Sequence, residues 1–223
     1  GAGSGFEIKR VFMSSEITQE IVIFDESRRI DFRNHIDWKE KNILLKAEFN
    51  ANINNTDGVF DVQYGYVRRA SHRNTSWDKA KFEVCGQKYA DISDGGYGLA
   101  VLNDSKYGHS VRRGKLTLSL IKSSYYPNEY IDCDIHDFVY SVIPHSGDHI
   151  SAGIIEESII FNNPPTVNES ADGNGAECSL VSSDKDGITF GAFKRAYDGN
   201  GYVLRIAENR NRRVSATLRF GFE

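Results

Sequence analysis

The chain has 223 residues, 39% of them hydrophobic and 26% charged, with a formal net charge of -4. That length suits one large β domain, with a core that buries roughly 70% of the unfolded chain's surface. The acidic balance argues against a dedicated nucleic-acid binder, which would show a basic face, and no apolar run approaches the roughly 20 residues that cross a bilayer.

In chain order, Gly1-Ala2-Gly3-Ser4-Gly5 has neither the basic start nor the apolar stretch of a secretory signal. It reads as a tag or linker remnant, which leaves 6–223 as the folded domain. Ile30, Phe32, Ile36 and Trp38 alternate with Arg29, Asp31, Arg33, His35 and Asp37, the period of a half-buried strand. After a turn at Asn55-Thr56-Asp57-Gly58, Phe60, Val62, Tyr64 and Tyr66 alternate with Asp61, Gln63, Gly65 and Val67. Asp94-Gly95-Gly96 and Arg113-Gly114 supply residues that tolerate positive φ, as tight hairpins need. Leu116, Leu118 and Leu120 alternate with Lys115, Thr117 and Ser119. The stretch Ser151 to Ile160 fits one or two helical turns as well as a strand. Asn162 to Gly175, with two prolines, reads as a long surface loop. Turns at Asp186-Gly187 and Asp198-Gly199-Asn200-Gly201 follow, then a last alternation through Val214, Ala216, Leu218 and Phe220. Many short strands with little helix predict an all-β sandwich or barrel of antiparallel sheets, in one domain.

Few residues group in ways that carry chemistry. Cys85, Cys133 and Cys178 are odd in number and far apart, with no CxxC spacing. They read as buried free thiols in a reducing compartment. Glycosylation triplets begin at Asn54, Asn74, Asn103 and Asn168; they matter only in a secreted chain and are taken as coincidental. Arg73, Asn74, Trp77 and Asp78 combine planar polar groups with an aromatic face, a set suited to a sugar. The alternative is a structural loop with Trp77 packed inside. Asp104, Lys106 and Tyr107 follow the apolar run Leu99 to Leu102, either at the edge of a neighbouring cleft or in a salt-bridged turn. Asp132-Cys133-Asp134-Ile135-His136-Asp137 has metal-ligating side chains. Adjacent strand residues face opposite ways, however, so it reads as a loop entering the strand Phe138 to Ile143. His145 and Asp148 share a turn, and Asp184-Lys185-Asp186-Gly187 lacks the remaining ligands of a calcium loop. No phosphate-binding glycine loop, GxSxG elbow or HExxH occurs.

Two phrases carry a resemblance: His72-Arg73-Asn74-Thr75-Ser76-Trp77-Asp78, and Gly95-Gly96-Tyr97-Gly98 running on to Asn103-Asp104-Ser105-Lys106-Tyr107-Gly108. With Ile30-Asp31-Phe32, Ile36-Asp37-Trp38-Lys39, Val59-Phe60-Asp61-Val62-Gln63-Tyr64-Gly65, Phe82-Glu83-Val84-Cys85 and Lys194-Arg195-Ala196, the chain from about Arg28 to Phe220 resembles the C-terminal β domain of the family-38 glycoside hydrolases. These are the retaining α-mannosidases, in the branch that includes cytosolic and vacuolar enzymes. Ala70 stands where the family often has proline, and Ser124 to Asp137 is divergent.

The resemblance implies a large supersandwich of the galactose-mutarotase-like kind. It implies a parent that hydrolyses terminal α-linked mannose through a covalent intermediate on a carboxylate. Its zinc and nucleophile belong to an N-terminal catalytic domain, so this fragment should hold no catalytic residue, metal ligand or cofactor and be inactive alone. Arg73, Asn74, Trp77, Asp104, Lys106 and Tyr107 are the residues expected to reach the substrate cleft. Expected partners are that catalytic domain, a mannose-containing oligosaccharide and a further copy of the chain, in the cytoplasm. An independent carbohydrate-binding module using Trp77, Tyr97 and Tyr107 is the alternative. A sugar epimerase would need a histidine and a glutamate converging as acid and base.

Overall fold

In the computed structural model, residues 3–167 and 178–222 are described. The alternating stretches fold as strands: β1 (Gly3–Phe12), β2 (Ser15–Phe24), β3 (Ile30–Asp37), β4 (Ile43–Asn50), β5 (Asp57–Val62) and β6 (Gly65–Ala70). The short helix α1 (Ser76–Ala80) precedes β7 (Val84–Cys85), β8 (Tyr89–Ser93), β9 (Tyr97–Asn103), β10 (Gly108–Arg112), β11 (Lys115–Ser123) and β12 (Ile135–Ser146). Helix α2 (Ile154–Asn162) then leads to β13 (Val181–Ser183), β14 (Ile188–Arg195), β15 (Tyr202–Glu208) and β16 (Leu218–Phe220).

Contacts divide these elements into two compact units. One takes the residues up to Val62 together with Val67–Pro164; the other takes Gln63–Tyr66 with the residues from Pro165 onward. In the first, an eight-stranded sheet of order β1-β2-β3-β12-β9-β8-β5-β6 faces a four-stranded sheet of order β4-β11-β10-β7. The pairings are antiparallel, which makes this the all-β sandwich the alternation predicts. Ile36 on β3, Trp38 just after it, Val101 on β9 and Tyr140 on β12 meet Ala47 on β4 and Leu116 and Leu118 on β11 in one core. The Trp38 indole is 1% exposed, donates to Ser123 Oγ at 3.1 Å and stacks on Phe12 at 6.0 Å between ring centroids.

The middle strands β8, β9 and β12 are buried on both faces. The outer face of β8 and β9 is covered by α2, which contacts both and buries Ile154, Ile155 and Ser158. Double burial explains why Leu99 to Leu102 is a continuous apolar run rather than an alternation. It also settles the Ser151 to Ile160 ambiguity as helix. Gly153 enters it at φ 73, and Glu156 and Glu157 sit in its first turn, where the helix dipole favours negative charge. No helix among the described residues is long and apolar enough to cross a membrane.

Four readings change. Gly3, Ser4 and Gly5, set aside as linker, pair with Phe24, Ile23 and Val22; residues 1 and 2 lie outside the described residues. The alternation from Phe60 to Tyr66 is not one strand, because the chain reverses at Gln63 and Tyr64, with Tyr64 at φ 60. Cys85 and Cys178 are exposed and Cys133 is partly buried, all three free, so the thiols are not a buried set. Of the closing alternation, only Leu218–Phe220 is a strand, paired with β13, and β14 pairs with β15. The end of the Asn162 to Gly175 loop and the triplet at Asn168 lie outside the described residues.

Candidate functional site

Between β6 and β7 the chain leaves the sheet as a polar loop. Thr75 caps α1: its Oγ1 accepts from the Asp78 amide at 3.1 Å and donates to Asp78 Oδ2 at 2.7 Å. That hydroxyl bond, chiefly, holds the Asp78 carboxyl below its usual range. With so short a helix, Trp77 has no core to enter. It is 80% exposed, contrary to the packed-inside reading.

The loop walls two clefts. One, of ≈ 270 Å³, is lined by Phe60, Arg69, Lys81, Phe82 and His109 among others. The second, of ≈ 770 Å³, is lined by Asn52, Asn54, Asn55, Asn74 and Arg113 among others. Ser71, His72, Arg73 and Arg112 line both, so the two form one groove. Its acids already have cations. Glu83 meets Lys46, Glu48 lies 2.6 Å from Lys115, and Asp78 is 3.7 Å from Lys81 and 3.6 Å from His72. Burial works against the Glu83 charge, but the Lys46 ammonium and the Ser119 hydroxyl outweigh it and lower its pKa. Arg69 donates to the Cys85 carbonyl at 2.7 Å and lies 5.0 Å over the Phe60 ring, and burial lowers its pKa. Arg73 lies 5.6 Å over the Phe82 ring.

The residues expected at the cleft therefore separate. Arg73 and Asn74 line the groove, and Trp77 stands exposed beside it without lining it. Asp104, Lys106 and Tyr107 line neither cleft. Asp104 Oδ2 accepts from the Val139 amide at 2.8 Å, and the Lys106 ammonium lies 4.5 Å over the Phe138 ring. Tyr107 is 51% exposed, and its carbonyl accepts from Gly86. These three build the turn between β9 and β10. Arg69, Arg112, Arg113 and the amides of Asn52, Asn54 and Asn55 are groove residues that spacing did not mark.

The histidines are partly interior. His109, His145 and His149 are buried. His145 lies in β12, not in a turn with Asp148, and its Nε2 is 2.6 Å from Asp91 Oδ2 on β8, both side chains fully buried. Burial acts most strongly to lower the His145 pKa, but the Asp91 hydrogen bond and charge prevail and raise it. Asp148 instead accepts from the Ser151 amide at 2.8 Å. A pair without solvent access serves the fold, so the epimerase arrangement finds no support here. Among the described residues no three His, Cys, Asp or Glu side chains converge on a metal site.

His109, on β10 at the floor of the groove, packs edge-on to Phe60 at 6.2 Å, and burial pushes its pKa down to about 4. In the unfolded chain it takes up a proton below about pH 6.5, so between those values the unfolded state holds more protons and stability falls with pH. His149, lowered by burial as well, adds to the same slope. His109 alone is expected to contribute a loss of about 3 kcal/mol on acidification from pH 6.5 to 4. Urea midpoints measured across that range should fall steeply, and less so in His109→Leu; equal slopes would refute the assignment.

Residues 5–130 match the profile of the Glycosyl hydrolases family 38 C-terminal domain. Alpha-mannosidase G of Dictyostelium discoideum is 36% identical over 200 residues, 88% of this chain and 18% of that protein. Alpha-mannosidase 2C1 of Homo sapiens is 36% identical over 73% of this chain and 16% of its own length. The α-mannosidase of Saccharomyces cerevisiae is 34% identical over 77% of this chain and 17% of its own. The chain thus spans less than a fifth of the length of these relatives. The crystal structure of an α-mannosidase from Enterococcus faecalis V583 superposes with a TM-score of 0.80 at 18% identity, covering 92% of this chain and 25% of that one, which shows the shared fold.

Proposed function

The chain belongs to the family-38 glycosyl hydrolase C-terminal domains, and we propose that it is the C-terminal part of a retaining α-mannosidase acting on terminal α-linked mannose in oligosaccharides. The match over residues 5–130 carries this reading. Retention needs two carboxyl groups about 5–5.5 Å apart across the bond being cut. In this proposal those groups and a zinc ion that holds the sugar's hydroxyls belong to an N-terminal catalytic domain of the same parent. The sandwich supports that domain, and Arg73 and Asn74 reach toward the substrate from the groove rim.

We place the parent in the cytoplasm. Asn103 supports this: it is 1% exposed, its Nδ2 donates to the Gln87 carbonyl at 2.7 Å and its Oδ1 accepts from the Lys106 amide at 2.8 Å. A glycan on that nitrogen would break the turn, so glycosylation before folding would be harmful.

The purified 223-residue chain is expected to show no turnover of an aryl α-mannoside, with activity appearing only when the upstream catalytic part is present. In that complete enzyme Arg73→Ala should raise KM about tenfold with kcat little changed, a loss of uniform binding. Zinc-dependent turnover by the chain alone would overturn the proposal. A second reading, an independent carbohydrate-binding module, draws on the exposed rings of Trp77, Tyr97 and Tyr107. Saturable binding of mannose oligosaccharides by the chain alone, abolished in Trp77→Ala, would favour it.

A further inference from the structure

Four guanidinium groups, those of Arg69, Arg73, Arg112 and Arg113, line the groove, and none has a carboxylate partner among the described residues. The groove's own acids cannot serve, because Lys46, Lys115 and Lys81 already engage Glu83, Glu48 and Asp78. This local excess of positive charge runs against a chain whose net charge is -4. Like charges gathered in a concavity repel one another unless an anion joins them. Guanidinium groups suit an oxyanion in particular, since their planar fork grips two oxygens at once.

The rest of the lining fits a small polar ring. Phe82 is 70% exposed at the rim and offers a flat apolar face. Asn54 and Asn74 present amides, and Asn55 holds a buried Oδ1 with no donor while its Nδ2 is used on the Asp57 carbonyl at 2.7 Å. A buried acceptor left without a donor costs free energy that a ligand hydroxyl would recover. The ≈ 270 Å³ cleft lies just below the roughly 300 Å³ at which small-molecule sites begin, and it adjoins the ≈ 770 Å³ cleft.

We propose that the groove is a binding site for a phosphorylated monosaccharide, its phosphate held by Arg73 and Arg112, its ring against Phe82 and a hydroxyl on Asn55 Oδ1. This goes beyond the mannosidase reading and does not depend on it. An acidic segment from elsewhere in the parent is the rival occupant.

The test is calorimetric titration of the 223-residue chain with mannose 6-phosphate, mannose and inorganic phosphate at low salt. Mannose 6-phosphate should bind with Kd of about 1 mM or tighter, at least about tenfold tighter than either of the other two, and less tightly as salt is raised. Arg73→Gln with Arg112→Gln should lose that binding about tenfold or more, as should Asn55→Ala for the sugar phosphate but not for inorganic phosphate. Arg73 and Arg112 are exposed, so the doubly substituted chain should keep the parent melting temperature. Absence of binding at about 10 mM, equal binding of mannose, equal binding of inorganic phosphate, or unchanged binding after the arginine substitutions would each overturn the proposal. Mannoside turnover is read separately, so failure of this site and failure of the enzymatic reading are distinguishable.

Discussion

Asp91→Ala is expected to lower the unfolding free energy by about 3–5 kcal/mol, the range for a buried ion pair that loses one partner. Asp91 and His145 are fully buried and 2.6 Å apart, on strands separated in the sheet only by β9. The His145 ring lies across the β9–β12 ladder opposite Gly98, where a Cβ would overlap it, so the imidazole cannot swing away to another partner. Without the carboxylate it stays in place as an unpaired polar ring. Truncating both partners together, Asp91→Ala with His145→Leu, should cost less than their summed single effects, since no orphaned group remains.

The pair also sets a pH dependence. A native pKa raised above the unfolded value makes its stabilisation complete below about pH 6.5, to be lost as pH rises through the native value. Combined with the acid-side loss from His109, stability should be greatest near pH 6.5. Chemical denaturation at several pH values checks both claims. A cost below about 1 kcal/mol for Asp91→Ala would place the interaction among weak surface pairs and defeat the argument.

Trp38→Ala carries the second large expected effect, about 3–5 kcal/mol, from lost transfer energy plus the cavity left behind. The indole is held on three sides: by the stacked Phe12 ring, by the Ser123 hydroxyl and by its own amide, which donates to the Asp134 carbonyl at 3.0 Å. Collapse into the void would have to move two sheets. Trp38→Phe keeps most of the volume and gives up the hydrogen bond, so a smaller loss of about 1–2 kcal/mol is expected. Because Trp77 is exposed, Trp38→Phe should also leave an emission spectrum of a solvated indole. Near-equal stability of Trp38→Ala and the parent would show that the site relaxes, contrary to the packing described.

The sandwich was legible because its signals are local. The alternation in Leu116, Leu118 and Leu120 matches their burial on β11, and glycine marks the turns at 95 and 114. The reversal at Gln63 and Tyr64 was hidden, since a left-handed tyrosine is uncommon and its neighbours continue the same alternation. Helix α2 could be told from a strand only by what it covers, namely the outer face of β8 and β9. The site was legible in part. Arg73 and Asn74 belong to a motif that reads as sugar-facing, and both line the groove. Arg69 lies near the end of the strand that leads into this loop, whereas Arg112 and Arg113 come from β10 and its turn in the facing sheet, joined to the loop only by the packing of the two sheets. Asp91 and His145 are 54 positions apart in the chain and meet because β9 alone separates their strands, whereas Asp104 and Lys106 sit in the β9–β10 turn, away from the groove.

Gly98 and His145 occupy one volume between them. A side chain at 98 is admissible only if the ring at 145 is exchanged for something smaller, and that exchange strands the Asp91 carboxylate. The three positions thus form a unit of inheritance. Substitutions among relatives should strike all of them in concert or leave all of them untouched.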